Sequence, residues 1–208
     1  MISNPSRLNS DHEVLAIDAS VAINILGTGR PADLLRMLNL RVLIDELALR
    51  EVTSDPFRKL PGREAMEALI GSGLISSARL SAPAFETFLD LTGANPPDHL
   101  GDGEAATIAQ SFDIGAVPVI DERKATRVSL SLRPTHPILH TIDILACSAV
   151  TTALSQQELG DLIYAALFHT RMRVPVQCRD WVCALIGAER ARSCPSLGSM
   201  REFGPRRE

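Results

Sequence analysis

Six carboxylates in this chain stand where the edge of a sheet would collect them. "VLAI" (Val14 to Ile17) hands over to Asp18, "VLI" (Val42 to Ile44) to Asp45, "VPVI" (Val117 to Ile120) to Asp121 and "PILHTI" (Pro137 to Ile142) to Asp143. An aspartate after an apolar run is ordinarily a helix N-cap, because its side chain accepts from the exposed N–H groups of the first turn. Four at one edge mean more: crowded like charges repel and raise one another's pKa unless a cation lies among them. Carboxylate oxygens are hard donors that suit Mg²⁺ or Mn²⁺. Glu104, in "GDGEAATIAQS", falls in the first turn of a helix, where the dipole favours negative charge, beside the apolar stripe Ala105, Ile108, Ala109 and Phe112. Glu51, in "DELALREV", lies nearly two turns along a helix that starts at the same edge, for which a solvated face is the plainer reading.

Other chemistries find less support. No Cys–His or Ser–His arrangement accompanies the acids, and His99, His136 and His140 read as structural. Cys147, Cys178, Cys183 and Cys194 form no C-x-x-C pair, which fits reduced thiols better than zinc. A haloacid-dehalogenase reading needs an acid two residues after Asp18, where this chain has Ser20. A receiver domain would need a lysine after the last strand, and "PILHTID" supplies none. Positive charge is local: Arg123, Lys124 and Arg127 follow Asp121, with Arg123 and Arg127 one turn apart, and Arg58, Lys59 and Arg63 form a second group. Such residues contact phosphates without reading sequence, or simply solvate a helix face. With one Trp and one Tyr, base stacking is not predicted.

The elements that must position these residues follow from the pattern. The chain has 208 residues, 45% apolar and 22% charged, with a net charge of −4, which suits one domain with a sizeable core and no general affinity for polyanions. The apolar runs above read as strands buried on both faces, with "LISSARL" (Leu74 to Leu80) a weaker candidate. Amphipathic stretches lie between them: "PADLLRMLNL" with Pro31 at the first helical position, "REAMEALIGSG" ending at glycine, and "GEAATIAQSF". The alternation predicts an α/β fold, a three-layer sandwich with a central parallel sheet, closed by C-terminal helices after Asp143. The N-terminus lacks the apolar segment of a signal peptide, and no run approaches the ~20 residues of a membrane span. A cytoplasmic protein with no membrane contact is expected.

Taken in order, Asp18 in "IDASVAINIL", Glu51 in "DELALREV", Glu104 in "GDGEAATIAQS" and Asp121 in "VIDERKATRV" resemble the PIN-domain nucleases, and more narrowly the PIN-like relatives of VapC-type toxins. The resemblance runs from about Val14 to Ala166. It implies a parallel sheet of order 3-2-1-4-5 and hydrolysis of RNA phosphodiesters at an acidic site holding one or two Mg²⁺ or Mn²⁺ ions. It assigns Asp18, Glu51, Glu104 and Asp121 as catalytic, with Asp18, Glu104 and Asp121 as metal ligands. Ser20 matches a polar position that orients ligands or water, and Arg127 matches the family's arginine after the fourth acid. Arg123, Lys124 and Arg127 are the expected RNA contacts.

The chain departs from the family at three places. Glu122 replaces the second aspartate of "IDD", Ala106 replaces a repeated acid, and Asp143 stands where a small residue is usual, either as an extra ligand or as a helix cap. The implied organisation is an N-terminal extension (1–13), a PIN-like nuclease domain (14–170), a helical appendage (171–192) and a flexible tail (193–208). The implied partners are an RNA substrate, a small antitoxin protein if the chain is one half of a toxin–antitoxin pair, and a second copy in a homodimer. A PIN-like scaffold that binds RNA or protein without cutting is the alternative.

Overall fold

A computed structural model describes residues 4–198. In chain order the elements are β1 (Val14–Ile17), α1 (Ala19–Gly27), α2 (Pro31–Leu38), β2 (Arg41–Asp45), α3 (Glu46–Glu51), β3 (Ser54–Asp55), β4 (Leu60–Pro61), α4 (Gly62–Gly71), β5 (Ser76–Ala78), α5 (Ala82–Thr92), α6 (Asp102–Ile114), β6 (Val117–Val119), α7 (Arg123–Leu132), α8 (Thr141–Leu145), α9 (Ser148–Ala153), α10 (Gln156–Thr170), α11 (Val176–Ile186) and α12 (Ala188–Arg192).

Leu15, Ala16 and Ile17 of β1 are completely buried, because helices cover both faces of the sheet. β1 pairs in parallel with β2 on one side (Leu15 opposite Val42) and with β6 on the other (Leu15 opposite Val117), and β5 extends the sheet beyond β2. Among the described residues the sheet therefore has four strands in the order β5-β2-β1-β6. This differs from the five-stranded 3-2-1-4-5 arrangement expected. The segment 137–142 contributes a single parallel bridge, Val119 to Leu139, flanked by Ile120 N–H to Leu139 O at 2.9 Å and Leu139 N–H to Pro118 O at 2.9 Å. Pro137 has no N–H to donate, and α8 already begins at Thr141, so no length remains for a fifth strand. The β3–β4 hairpin is a further pair outside the main sheet. Its turn is built by Asp55, whose Oδ1 accepts from Phe57 N–H (3.0 Å) and Arg58 N–H (2.9 Å), while Lys59 takes the left-handed conformation at φ 60°.

Among the described residues two large apolar cores result, with a small third cluster of Ala16, Leu43 and Ala116. One joins β1 and β2 to α1, α2 and α10, and Cys178, Val182 and Ile186 of α11, Ala191 of α12, and then Cys194 and Leu197 belong to it. The segment expected as an appendage thus shares the main core. The other core lies under α5, α6 and α7, with Phe88, Ile108 and Val128 in it. The expected tail is described as far as residue 198, and the remainder of it lies outside the described residues. Among the described residues no helix is long and apolar enough to cross a membrane.

Candidate acidic site

All four strand-end aspartates cap or anchor a helix, but only two reach a common cleft. Asp18 follows β1 and caps α1: its Oδ2 accepts from Ser20 N–H at 3.3 Å and from Ser20 Oγ at 2.7 Å. Asp121 follows β6 and is held by the start of α8. Its Oδ1 accepts from Thr141 N–H (2.9 Å), and its Oδ2 from Thr141 Oγ1 (2.6 Å) and Asn24 Nδ2 (2.8 Å). Asp18 and Asp121 keep only 4% and 8% of their surface exposed, and with Ser20, Glu51, Glu104 and Glu122 they line one cleft of about 560 Å³.

Each glutamate arrives by a different route. Glu104 sits in the first turn of α6 and its Oε2 accepts weakly from Gly101 N–H at 3.4 Å. Glu51, for which a solvated face was the plainer expectation, reaches from the end of α3 to α6, where its Oε1 accepts from Gly103 N–H at 2.9 Å. A side chain at position 103 would put its Cβ 2.8 Å from Glu51 Oε2, so the glycine makes this approach possible. Glu122 caps α7 through the N–H groups of Lys124 and Ala125.

The remaining predicted residues lie elsewhere. Asp45 caps α3 through Leu47 N–H (2.8 Å) and does not line the cleft. Asp143 is buried in α8 and bound to Arg7, so of its two expected roles the cap is the one observed: its Oδ2 accepts from His140 N–H at 2.8 Å. Arg127 of α7 is bound elsewhere. It pairs with Asp98 at 2.7 Å and donates to Pro97 O at 3.1 Å, because the 97–98 turn, rather than α8, faces that side of α7. Arg123 and Arg127 line a groove adjoining the cleft, and the charge of Lys124 acts on Glu104. The three histidines hold backbone carbonyls: His99 that of Thr92, His136 that of Ala116 and His140 that of Ile120.

Sequence reasoning missed the wall formed by Asn24, Thr170, Arg171 and Arg173. Its signal was present in "TRMRVP". In the irregular segment after α10, Met172 and Val174 are buried while Arg171 and Arg173 are exposed, a period of two that turns the two arginines outward, where they line the cleft on either side of Met172. Arg171 also adopts φ 57° as it ends α10, a left-handed position that ordinarily favours glycine. Asn24 and Thr170 are joined by a 2.5 Å hydrogen bond from Thr170 Oγ1 to Asn24 Oδ1.

The electrostatics are those of crowded, dry carboxylates. Burial raises the pKa of Asp18. Burial raises Glu104 as well, with the charges of Asp18 and Glu122 adding to it. Burial also raises Asp121, against the lowering effect of its hydrogen bonds from Thr141. Among the described residues no three His, Cys, Asp or Glu side chains are gathered closely enough to hold a metal ion by themselves. Asp18 Oδ1 is nonetheless buried with no hydrogen-bond partner among them. A buried anionic oxygen without a donor is costly, and a hard cation beside it would satisfy it. The donor set therefore fits a divalent ion bound by few protein ligands, with water completing its shell.

Comparison with protein-family models, with curated proteins and with solved structures gives no match for this chain.

Proposed function

We propose that this protein is a metal-dependent endoribonuclease of the PIN-like kind, hydrolysing RNA phosphodiester bonds. The observation that carries the reading is that Asp18, Glu51, Glu104 and Asp121, drawn from four separate segments, line a single cleft. Asp18, Glu104 and Asp121 would hold Mg²⁺ or Mn²⁺ partly through water, since no three described acids are close enough to ligate one ion directly. When bound, such an ion neutralises the phosphate and lowers the pKa of water to make a nucleophile. The chain's own groups do the positioning. Ser20 fixes Asp18, Thr141 and Asn24 fix Asp121, and Glu51 ties the end of α3 to the start of α6, where Glu104 is mounted. Arg171 and Arg173 supply positive charge along the wall where an RNA strand would lie.

A second reading has one observation in its favour. Both oxygens of Asp121 already accept hydrogen bonds from the protein, as in a site built to be stable without an ion. That would suit a PIN-like scaffold that binds RNA or a protein without cutting. The test is cleavage of single-stranded RNA by the purified chain in Mn²⁺, in Mg²⁺ and in EDTA, beside Asp18→Asn. Cutting that needs the metal and is lost in Asp18→Asn is the expected result. RNA binding with no metal-dependent cutting would leave the scaffold.

A further inference from the structure

A groove of about 680 Å³ adjoins the acidic cleft, and Asp121 and Arg173 line both. Its size lies within the ~300–1,000 Å³ range of small-molecule sites. Arg123 and Thr126 of α7 form one part of its lining, and Gln177 of α11 another, with Arg173 at the junction with the cleft. Leu130 and Val176 add apolar wall, and both stand in solvent, Val176 with 66% of its surface exposed.

We propose that this groove is a nucleoside subsite, holding one unpaired base and its ribose next to the phosphate that occupies the acidic cleft. The proposal rests on the nuclease reading above and deepens it. Three arginines (Arg123, Arg127 and Arg173) line the groove, Arg127 paired with Asp98 at 2.7 Å and Arg173 lying 3.8 Å from Glu122, and among the described residues Asp121, at the shared end, is the one acid of its lining. That balance attracts a polyanion and would repel a basic peptide. Phosphate alone would need only the arginines. The apolar surface of Leu130 and Val176 calls for a ligand with an uncharged face, and a base supplies one. Guanidinium planes also stack on splayed-out bases, and Thr126 and Gln177 carry polar groups suited to a base edge. A base-paired strand would keep its bases within its own helix, so the groove selects single-stranded RNA.

The test uses the full chain in Mg²⁺ buffer and titration calorimetry with three probes: a nucleoside 5′-monophosphate, ribose 5-phosphate and inorganic phosphate. The nucleotide is expected to bind about tenfold tighter than ribose 5-phosphate, the scale of one base stacked on protein. Val176→Glu should abolish that difference while leaving the melting temperature unchanged, since the side chain is exposed. If Val176→Glu unfolds the chain, Gln177→Ala, also exposed, takes its place and should cost the nucleotide several-fold. Equal affinity for nucleotide and ribose 5-phosphate would overturn the proposal, and so would variants that bind nucleotide as the parent does. Absence of nucleotide binding would overturn it too and leave the apolar wall to a protein partner. These measurements need no bond cleavage. A chain that binds the base but never cuts RNA keeps the subsite and loses the nuclease reading, and one that cuts RNA with no contribution from the base does the reverse.

Discussion

Arg7 clasps Asp143 across 136 residues of sequence: its Nη2 lies 2.7 Å from Asp143 Oδ2, its Nε 3.2 Å from Oδ1, and its backbone N 2.9 Å from Oδ1. Ser6 Oγ adds a bond to the backbone carbonyl of Asp143 at 2.7 Å. The same carboxylate accepts from His140 N–H, and the next residue, Thr141, holds Asp121. The segment before β1 is thus tied, through one buried acid, to the turn that orients a cleft carboxylate.

Removing Arg7 leaves Asp143 buried with only backbone donors. Arg7→Ala should lower stability in urea by about 1–3 kcal/mol, moderated because the arginine itself is half exposed. Arg127→Ala, whose pair with Asp98 is exposed on both sides, should cost under about 1 kcal/mol. Equal losses for the two variants would show that burial of the acid does not set the energy.

A raised carboxyl pKa makes a definite prediction about pH. Asp18 and Glu104 hold protons more tightly in the folded chain than in the unfolded one. Between the ordinary carboxylate value and their raised values, the folded state therefore binds more protons, so their contribution to stability falls as pH rises through that window. Above that window the metal-free Asp18→Asn variant should therefore be more stable than the metal-free parent, since one buried charge is gone, and its melting temperature should depend less on pH across mildly acidic conditions. Mn²⁺ should raise the melting temperature of the parent and raise that of Asp18→Asn much less. Indifference of the parent to Mn²⁺ would count against a cation at this cleft.

Glu51 has a structural duty that can be separated from a chemical one. Glu51→Ala removes the acceptor for Gly103 N–H and should cost about 0.5–2 kcal/mol, as a lost helix cap does. Glu51→Gln keeps an acceptor oxygen and should restore most of that stability. If RNA cleavage returns together with stability in Glu51→Gln, the residue acts by holding α6. If stability returns and cleavage does not, its charge is required. Gly103→Ala should resemble Glu51→Ala in stability, since the added methyl takes the space of the carboxylate.

Thr141→Val keeps the backbone donor to Asp121 and removes the hydroxyl. A loss of about 1–3 kcal/mol is expected for withdrawing a donor from a buried carboxylate. Differential scanning calorimetry of the metal-free chain measures it directly.

Much of the site was legible because strands buried on both faces announce themselves as apolar runs, and the residue that follows each run must sit at one edge. Asp18 and Asp121 were found in this way, and Glu104 by its place in a first turn. Asp45 and Asp143 carry the same local signature yet lie outside the cleft. Which strand-end acids converge depends on the lateral order of the strands, and no local pattern encodes that order. Arg127 illustrates the same limit: its helix and its face were readable, but its partner Asp98 lies in a turn 29 residues away in sequence. The β3–β4 hairpin and α5 escaped notice for a different reason. Two-residue strands are too short to show a period, and "SAPAFETFLDLT" begins with a proline-containing first turn that reads equally well as a loop.

The parallel pairing of β1 also orders events in time. Among the described strands β1 leaves the ribosome before the others, but it pairs with β6, with Ile17 beside Val119, and its neighbouring cleft wall contains Arg171 and Arg173. A growing chain that has just released Asp18 has no lateral partner for that edge until about a hundred more residues have been made, and contacts of such separation form late. The four carboxylates are all synthesised before either arginine of that wall. A nascent chain therefore carries its acids without that cationic wall until residue 173 has been made, and the complete cleft exists only from then on.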